Sequence, residues 1–167
     1  LALLDLLAKE EVTATFFFIG ENVRRYPELV EAVAKAGHHI GNHSLDHPFF
    51  PRLSIQQMEK QIDTTNDEIE SITGTKPKLF RPPYGLIDNR GARLLNERHM
   101  STVYWGAVAD DWQPLGAPVV VKRIMRQLPK EELIVLHEGL DIAAQNLEAC
   151  RQVIHLTRDL GYRIDPI

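Results

Sequence analysis

TATFFFIG, residues 13–20, lies between two stretches of helical periodicity. It is filled by β-branched and aromatic residues and closed by a glycine, which reads as a buried strand. Upstream, LALLDLLAKEEV (1–12) spaces its apolar residues as an amphipathic helix does. Downstream, ENVRRYPELVEAVAKAG (21–37) has the same period; Pro27 is placed to start a second helical piece and Gly37 to end it. One strand between two helices is the seed of an α/β fold.

The alternation continues along the chain. HHIGN (38–42) reads as a short strand, and Ser54 as the N-cap of a helix that Gly74 ends. KLF (78–80) is a strand, Asp88 caps a helix running to about His99, and STVYW (101–105) is another strand. PVVVKRIMRQL (118–128) is a helix in spite of its valines. ELIVLH (132–137) is a near-continuous apolar run, the mark of a parallel strand covered on both faces. A last helix over 141–161 precedes YRI (162–164), a final strand. Six strand candidates separated by helices predict a parallel sheet, as a β/α barrel or an open doubly wound sheet. The chain contains no repeat or linker, so residues 1–167 are expected to form one domain. The opening helix begins at Leu1 without a cap, so the fold is expected to lack its first strand.

Composition narrows the partners. Of 167 residues, 44% are apolar and 25% charged, as in globular domains with a real core. The net charge of −4 offers nucleic acid no basic surface. No apolar run is long enough for a membrane span. Cys150 is the single cysteine, which excludes an internal disulfide framework and a cysteine metal cage.

The polar clusters recur at one kind of place. HSLDHP (43–48) follows strand 38–42, RPPYG (81–85) follows strand 78–80, ADDW (109–112) follows strand 101–105, and His137 closes strand 132–137. In parallel α/β folds the C-terminal ends of strands form the active face.

Each cluster has a chemical reading. His43 and His47, four apart, could be two legs of a metal site or two ordinary surface histidines. Pro48 pushes His47 away from helical geometry, so the pair belongs to a loop. Arg81 could hold a carboxylate, or simply make a salt bridge from a stiff proline loop; that loop would fix the backbone at Tyr84 as an oxyanion donor. Asp110 and Asp111 fit a turn as readily as a catalytic pair. Trp112 in a loop suits the apolar face of a sugar. His137 beside an acid would suit a general acid, and Leu136, on the other side of the pleat, is core by default.

Taken in order, TATFFFIG, the H-S-x-x-H of HSLDHP, R-P-P-Y, the D-W of ADDW and the L-H of IVLHEG resemble the polysaccharide deacetylase family. This is the NodB-type domain, carbohydrate esterase family 4, and the resemblance runs from about residue 13 to 164. It implies a distorted (β/α) barrel of seven or eight units, here lacking its first strand. It implies a metal-dependent hydrolase that removes acetyl groups from N-acetylated sugars of peptidoglycan or chitin, with some members acting on xylan. The implied cofactor is a divalent metal ion, zinc in the first place or cobalt, with His43 and His47 as its histidine ligands. Ser44 would support them, Arg81 would orient the base carboxylate, and Asp111 would hold His137 as general acid. Pro83, Tyr84, Trp112 and Leu136 would line the substrate site, with the Tyr84 N–H on the oxyanion. Family members usually act on the cell envelope or outside the cell.

The departures are specific. The family's T-F-D-D motif, source of the base and of the metal's aspartate, has no counterpart; Asp5, Asp46 and Asp110 fall in the wrong segments. Val108 stands where an aspartate often precedes D-W, and E-G follows the last histidine in place of D-G. The 167 residues by themselves are therefore expected to bind metal poorly and turn over little. Two other functions compete: a non-catalytic carbohydrate-binding relative, and a β/α-barrel metal hydrolase acting on a small amide or lipid-linked sugar.

Overall fold

The computed structural model describes residues 1–138 and 141–167. They fall into two compact units, one of residues 13–104 with 166–167, the other of residues 1–12 with 105–165.

The first unit is built on four parallel strands, β1 (Thr15–Phe18), β2 (His39–Asn42), β3 (Leu79–Phe80) and β4 (Ser101–Thr102), in that order across the sheet. The register pairs Phe18 with Asn42, Asn42 with Phe80, and Phe80 with Thr102. The ladder continues one residue beyond the strands: His43 N–H donates to the Phe18 carbonyl at 2.8 Å, and Arg81 N–H to that of Asn42 at 2.9 Å. The backbones of His43 and Arg81 are thus held at the sheet's C-terminal edge. Gly41 is needed for β1 to pass, because a Cβ there would meet the Phe17 ring at 2.5 Å.

Helices α2 (Gly20–Arg25), α3 (Pro27–Lys35), α4 (Ile55–Thr73) and α5 (Asn89–Glu97) complete this unit. The expected punctuation holds. Pro27 opens α3 at its first position, and Gly74, at φ 71°, ends α4. Ser54 caps α4 in a reciprocal box with Gln57, and Asp88 caps α5 through the Arg90 and Gly91 N–H groups. Phe50, Met58, Ile62, Phe80, Leu94, Leu95 and Met100 form one core cluster, and Val23, Val30 and Ile69 another.

The second unit holds α1 (Ala2–Lys9), α6 (Ala117–Gln127) and α7 (Ala143–Asp159). Its core lies between α6 and α7, where Val120, Val121 and Ile124 meet Ala149 and Val153. Two strand expectations are corrected. Residues 132–137 form a single parallel bridge, Ile134 to Ala107, where two backbone hydrogen bonds close before the chains part. Residues 162–164 are not a strand: Tyr162 N–H returns to the Thr157 carbonyl at the end of α7, and Arg163 pairs with Asp165. Apolar character suits a strand, but a ladder also needs a neighbour in register. STVYW is likewise cut to Ser101–Thr102.

Candidate functional site

The predicted site residues fall on both units, and each group is built from its own unit. In the first unit, His43 and His47 converge: their ring centroids are 4.8 Å apart and their planes cross at 77°. His43 Nδ1 lies 2.6 Å from the Arg81 carbonyl. A carbonyl can only accept, so Nδ1 carries the proton and the ring's lone pair lies on Nε2. A histidine ligand is oriented in this way by its outer partner.

The loop carrying the pair is tied down from α4. Asn42, fully buried, donates to the Ile62 carbonyl and to Asn66 Oδ1, both at 2.9 Å, and accepts from Ser44 N–H at 2.7 Å. Gln61 accepts from Leu45 N–H at 2.8 Å and donates to Asp46 Oδ1 at 2.9 Å. Ser44 Oγ accepts from His47 N–H at 3.1 Å. Ser44 and His47 both adopt left-handed backbone, at φ 67° and 59°. Pro48 was expected to keep His47 out of helical geometry, and His47 lies in the left-handed well, with its N–H on Ser44 Oγ. Asp46, spent on Gln61, faces α4.

The proline loop follows β3. Pro83 is buried, and Tyr84 is left-handed at φ 57°. Its ring is half-exposed and stands edge-on to His47, centroids 4.8 Å apart. Arg81 lies with its guanidinium 4.1 Å above the Phe17 ring. Among the described residues its Nε is buried without a hydrogen-bond partner. Burial pushes its pKa down to about 10. The carboxylate it was expected to hold is not among the described residues; a partly buried cation with an unused Nε donor is suited to one.

In the second unit, Asp111 and His137 form a closed pair. Asp111 is fully buried; Oδ1 is 2.9 Å from His137 Nδ1, and Oδ2 accepts from His137 N–H at 2.6 Å. Trp112, over a third exposed, sets its ring edge-on to His137 at 5.1 Å, and the Trp105 ring lies 6.3 Å from it at a tilt of 46°. Asp110, adjacent in sequence, does something else: it sits at φ 55° and pairs with Arg123 of α6 at 2.8 Å. Leu136 packs on the α6–α7 core, its default reading. Sequence reasoning missed Asn146, whose side chain reaches both Asp111 and His137. An asparagine, a poor helix former, early in the helical run 141–161 is the signal that could have flagged it.

As a metal centre, His43 and His47 supply two imidazole donors with one tautomer already set. No group of three or more His, Cys, Asp or Glu side chains that could hold a metal ion occurs among the described residues. The pair therefore fits as part of a ligand set.

A sequence model described as polysaccharide deacetylase matches residues 2–103. The chain belongs to the polysaccharide deacetylase family. It is 36% identical to the peptidoglycan-N-acetylmuramic acid deacetylase PdaC of Bacillus subtilis, over 97% of this chain but only 33% of that protein. The chain thus spans about a third of that relative's length. Among solved structures, a peptidoglycan N-acetylglucosamine deacetylase superposes with a TM-score of 0.94 at 28% identity, covering 99% of this chain and 78% of the other. A CE4-family pseudoenzyme from Bacillus anthracis superposes at 0.88, also at 28% identity, over 99% of this chain and 58% of its own. The α/β fold of these deacetylases is therefore the fold of this chain. Among the described residues no helix is long and apolar enough to cross a membrane.

Proposed function

We propose that residues 1–167 act as one NodB-type deacetylase domain, in a protein that hydrolyses the acetamide of N-acetylated amino sugars in a peptidoglycan- or chitin-like polysaccharide. The observation that carries this reading is the buried Asp111 locked onto His137 Nδ1. A carboxylate at Nδ1 fixes the proton there and leaves Nε2 as the atom that exchanges a proton with substrate. A site that must protonate a departing amine needs this arrangement.

His43 and His47 would hold the divalent metal ion, zinc or cobalt. When bound, such an ion polarises a carbonyl and lowers the pKa of coordinated water. The chain's own residues do the rest. Arg81, partly buried with its Nε donor unused, orients an anionic base that is not among Asp5, Asp46 and Asp110; Asp46 is held by Gln61 and Asp110 by Arg123. The left-handed Tyr84 and the buried Pro83 fix the backbone that meets the acyl oxygen. The base that Arg81 orients takes a proton from water as the water oxygen bonds to the acyl carbon, His137 gives a proton to the amine nitrogen as the C–N bond breaks, and acetate and a free amino sugar leave. Trp112 offers its exposed ring to the sugar. Leu136, given by resemblance as a lining residue of the acetyl pocket, packs on the α6–α7 core and takes no part in this proton transfer.

The test is acetate release from an N-acetylglucosamine oligosaccharide by the full-length protein supplied with zinc or cobalt. His137→Ala should lower kcat by roughly 10²–10⁴-fold. Equal rates with and without His137 would refute the reading. The likeness to a pseudoenzyme favours a second one, a carbohydrate binder without turnover. Oligosaccharide binding with no acetate released would establish it.

A further inference from the structure

Asn146 lies at the start of α7 and is 1% exposed. Asparagine is a poor helix former and is seldom buried. Here its side-chain nitrogen lies 2.8 Å from Asp111 Oδ2 and 2.8 Å from the His137 carbonyl. Both of those atoms are acceptors, so the group between them must be the NH₂ and not the amide oxygen. Its oxygen accepts in turn from Gln145 Nε2 at 3.1 Å. Gln145 also donates to the carbonyls of Asp111 and Gln113, at 3.1 and 3.0 Å, and accepts from Gly116 N–H. Two adjacent amides on one helix therefore hold both the Asp111 backbone and the Asp111 carboxylate, and they reach His137 as well.

We propose that Asn146 is a positioning residue for the general acid: its amide bridges the Asp111 carboxylate and the His137 backbone, and so sets the orientation of the His137 ring. Asp111 Oδ2 receives the Asn146 amide and the His137 N–H, which leaves Oδ1 aimed at Nδ1. Without Asn146 the carboxylate can rotate about its terminal bond, and the His137 carbonyl loses a donor. Asn146 acts through Asp111 and need not touch substrate. Gln145 fixes which way the Asn146 amide faces.

The inference rests on the proposed function for its meaning, yet its test needs no substrate. In ¹⁵N-labelled protein, the His137 Nδ1–H should be protected from solvent exchange. Asn146→Ala should raise its exchange rate at least tenfold while the backbone spectrum away from this loop is kept. A merely structural Asn146 would lower the melting temperature and leave that proton's exchange unchanged, and this result overturns the proposal. Should the alanine variant not fold, Asn146→Ser, which can give Asp111 one hydroxyl donor, is read the same way with a smaller increase. If neither folds, the unsubstituted chain decides: the Asn146 side-chain amide protons must shift when His137 is protonated, and invariance overturns the proposal. In the active full-length protein, Asn146→Ala should lower kcat at least tenfold at unchanged KM, with Asn146→Ser between. An inactive full-length protein would refute the deacetylase reading and leave the exchange result standing.

Discussion

Asp111 grips His137 twice, through the ring Nδ1 at 2.9 Å and through the backbone N–H at 2.6 Å, with its carboxylate wholly out of solvent. The two residues are 26 apart in sequence. One carboxylate thereby sets both where the histidine backbone lies and which ring nitrogen carries the proton.

Removing that carboxylate should be costly. Asp111→Ala leaves the His137 N–H and one of the two Asn146 amide N–H groups without their acceptor, while the other stays on the His137 carbonyl. Unmet buried donors cost about 1–3 kcal/mol each, so a total loss above about 2 kcal/mol is expected. Urea denaturation of the variant measures it, and an unchanged midpoint would contradict the geometry.

Arg81 should behave the opposite way. Its guanidinium lies partly buried over Phe17, and that burial pushes its pKa down to about 10. The folded chain therefore disfavours the charged form, which is the form present at neutral pH. Arg81→Met keeps the bulk and removes the charge. It should stabilise these 167 residues by about 1–3 kcal/mol, while abolishing acetate release in the full-length protein. Denaturation midpoint and turnover moving in opposite directions is the expected signature.

The start of α4 gives a cleaner stability test. Ser54 and Gln57 satisfy each other's backbone N–H groups, at 2.8 and 3.2 Å. Ser54→Ala should cost about 1 kcal/mol. Because α4 also supplies Gln61 and Asn66 to the His43–His47 loop, amide exchange in that loop should rise in step.

Cys150 carries a pH prediction. Burial comes first, and the carboxylates of Glu138 and Glu10 add to it, in raising the thiol to about 11 from its ordinary 9.0. The neutral thiol is the form the fold favours. Its contribution to stability is complete below pH 9.0 and is lost as pH climbs to about 11. Iodoacetamide at pH 8 should label the folded protein far more slowly than the urea-unfolded chain. Rapid labelling of the folded form would count against this burial.

Much of the architecture was legible in the residues. Ser54, Asp88, Pro27 and Gly74 mark helix ends because caps and left-handed stops are local chemistry. The loop at His43 and His47 was legible from Pro48 for the same reason. ELIVLH was misread as a full strand because an apolar run reports burial and says little about pairing; only Ile134 finds a bridge. The D-W motif assigned Asp111 to His137 by resemblance, while composition and spacing alone could not separate it from Asp110. One meets Arg123 at the surface and the other meets His137 in the interior, a difference set by backbone direction at φ 55°.

The sequence by itself determined the alternation of helices and strands, the polar loops past the strand ends, and the ordered motifs that mark the family. These are properties of neighbours along the chain. Only the tertiary structure decided that Asp111 is fully buried and meets both the ring and the backbone of His137, that Arg81 lies over Phe17 with an unused donor, and that Asn146 joins Asp111 to His137. Each of those facts depends on hydrogen bonds or ring contacts between residues far apart in sequence, and such contacts exist only once the backbone has brought their acceptors, donors and rings to within a few ångströms.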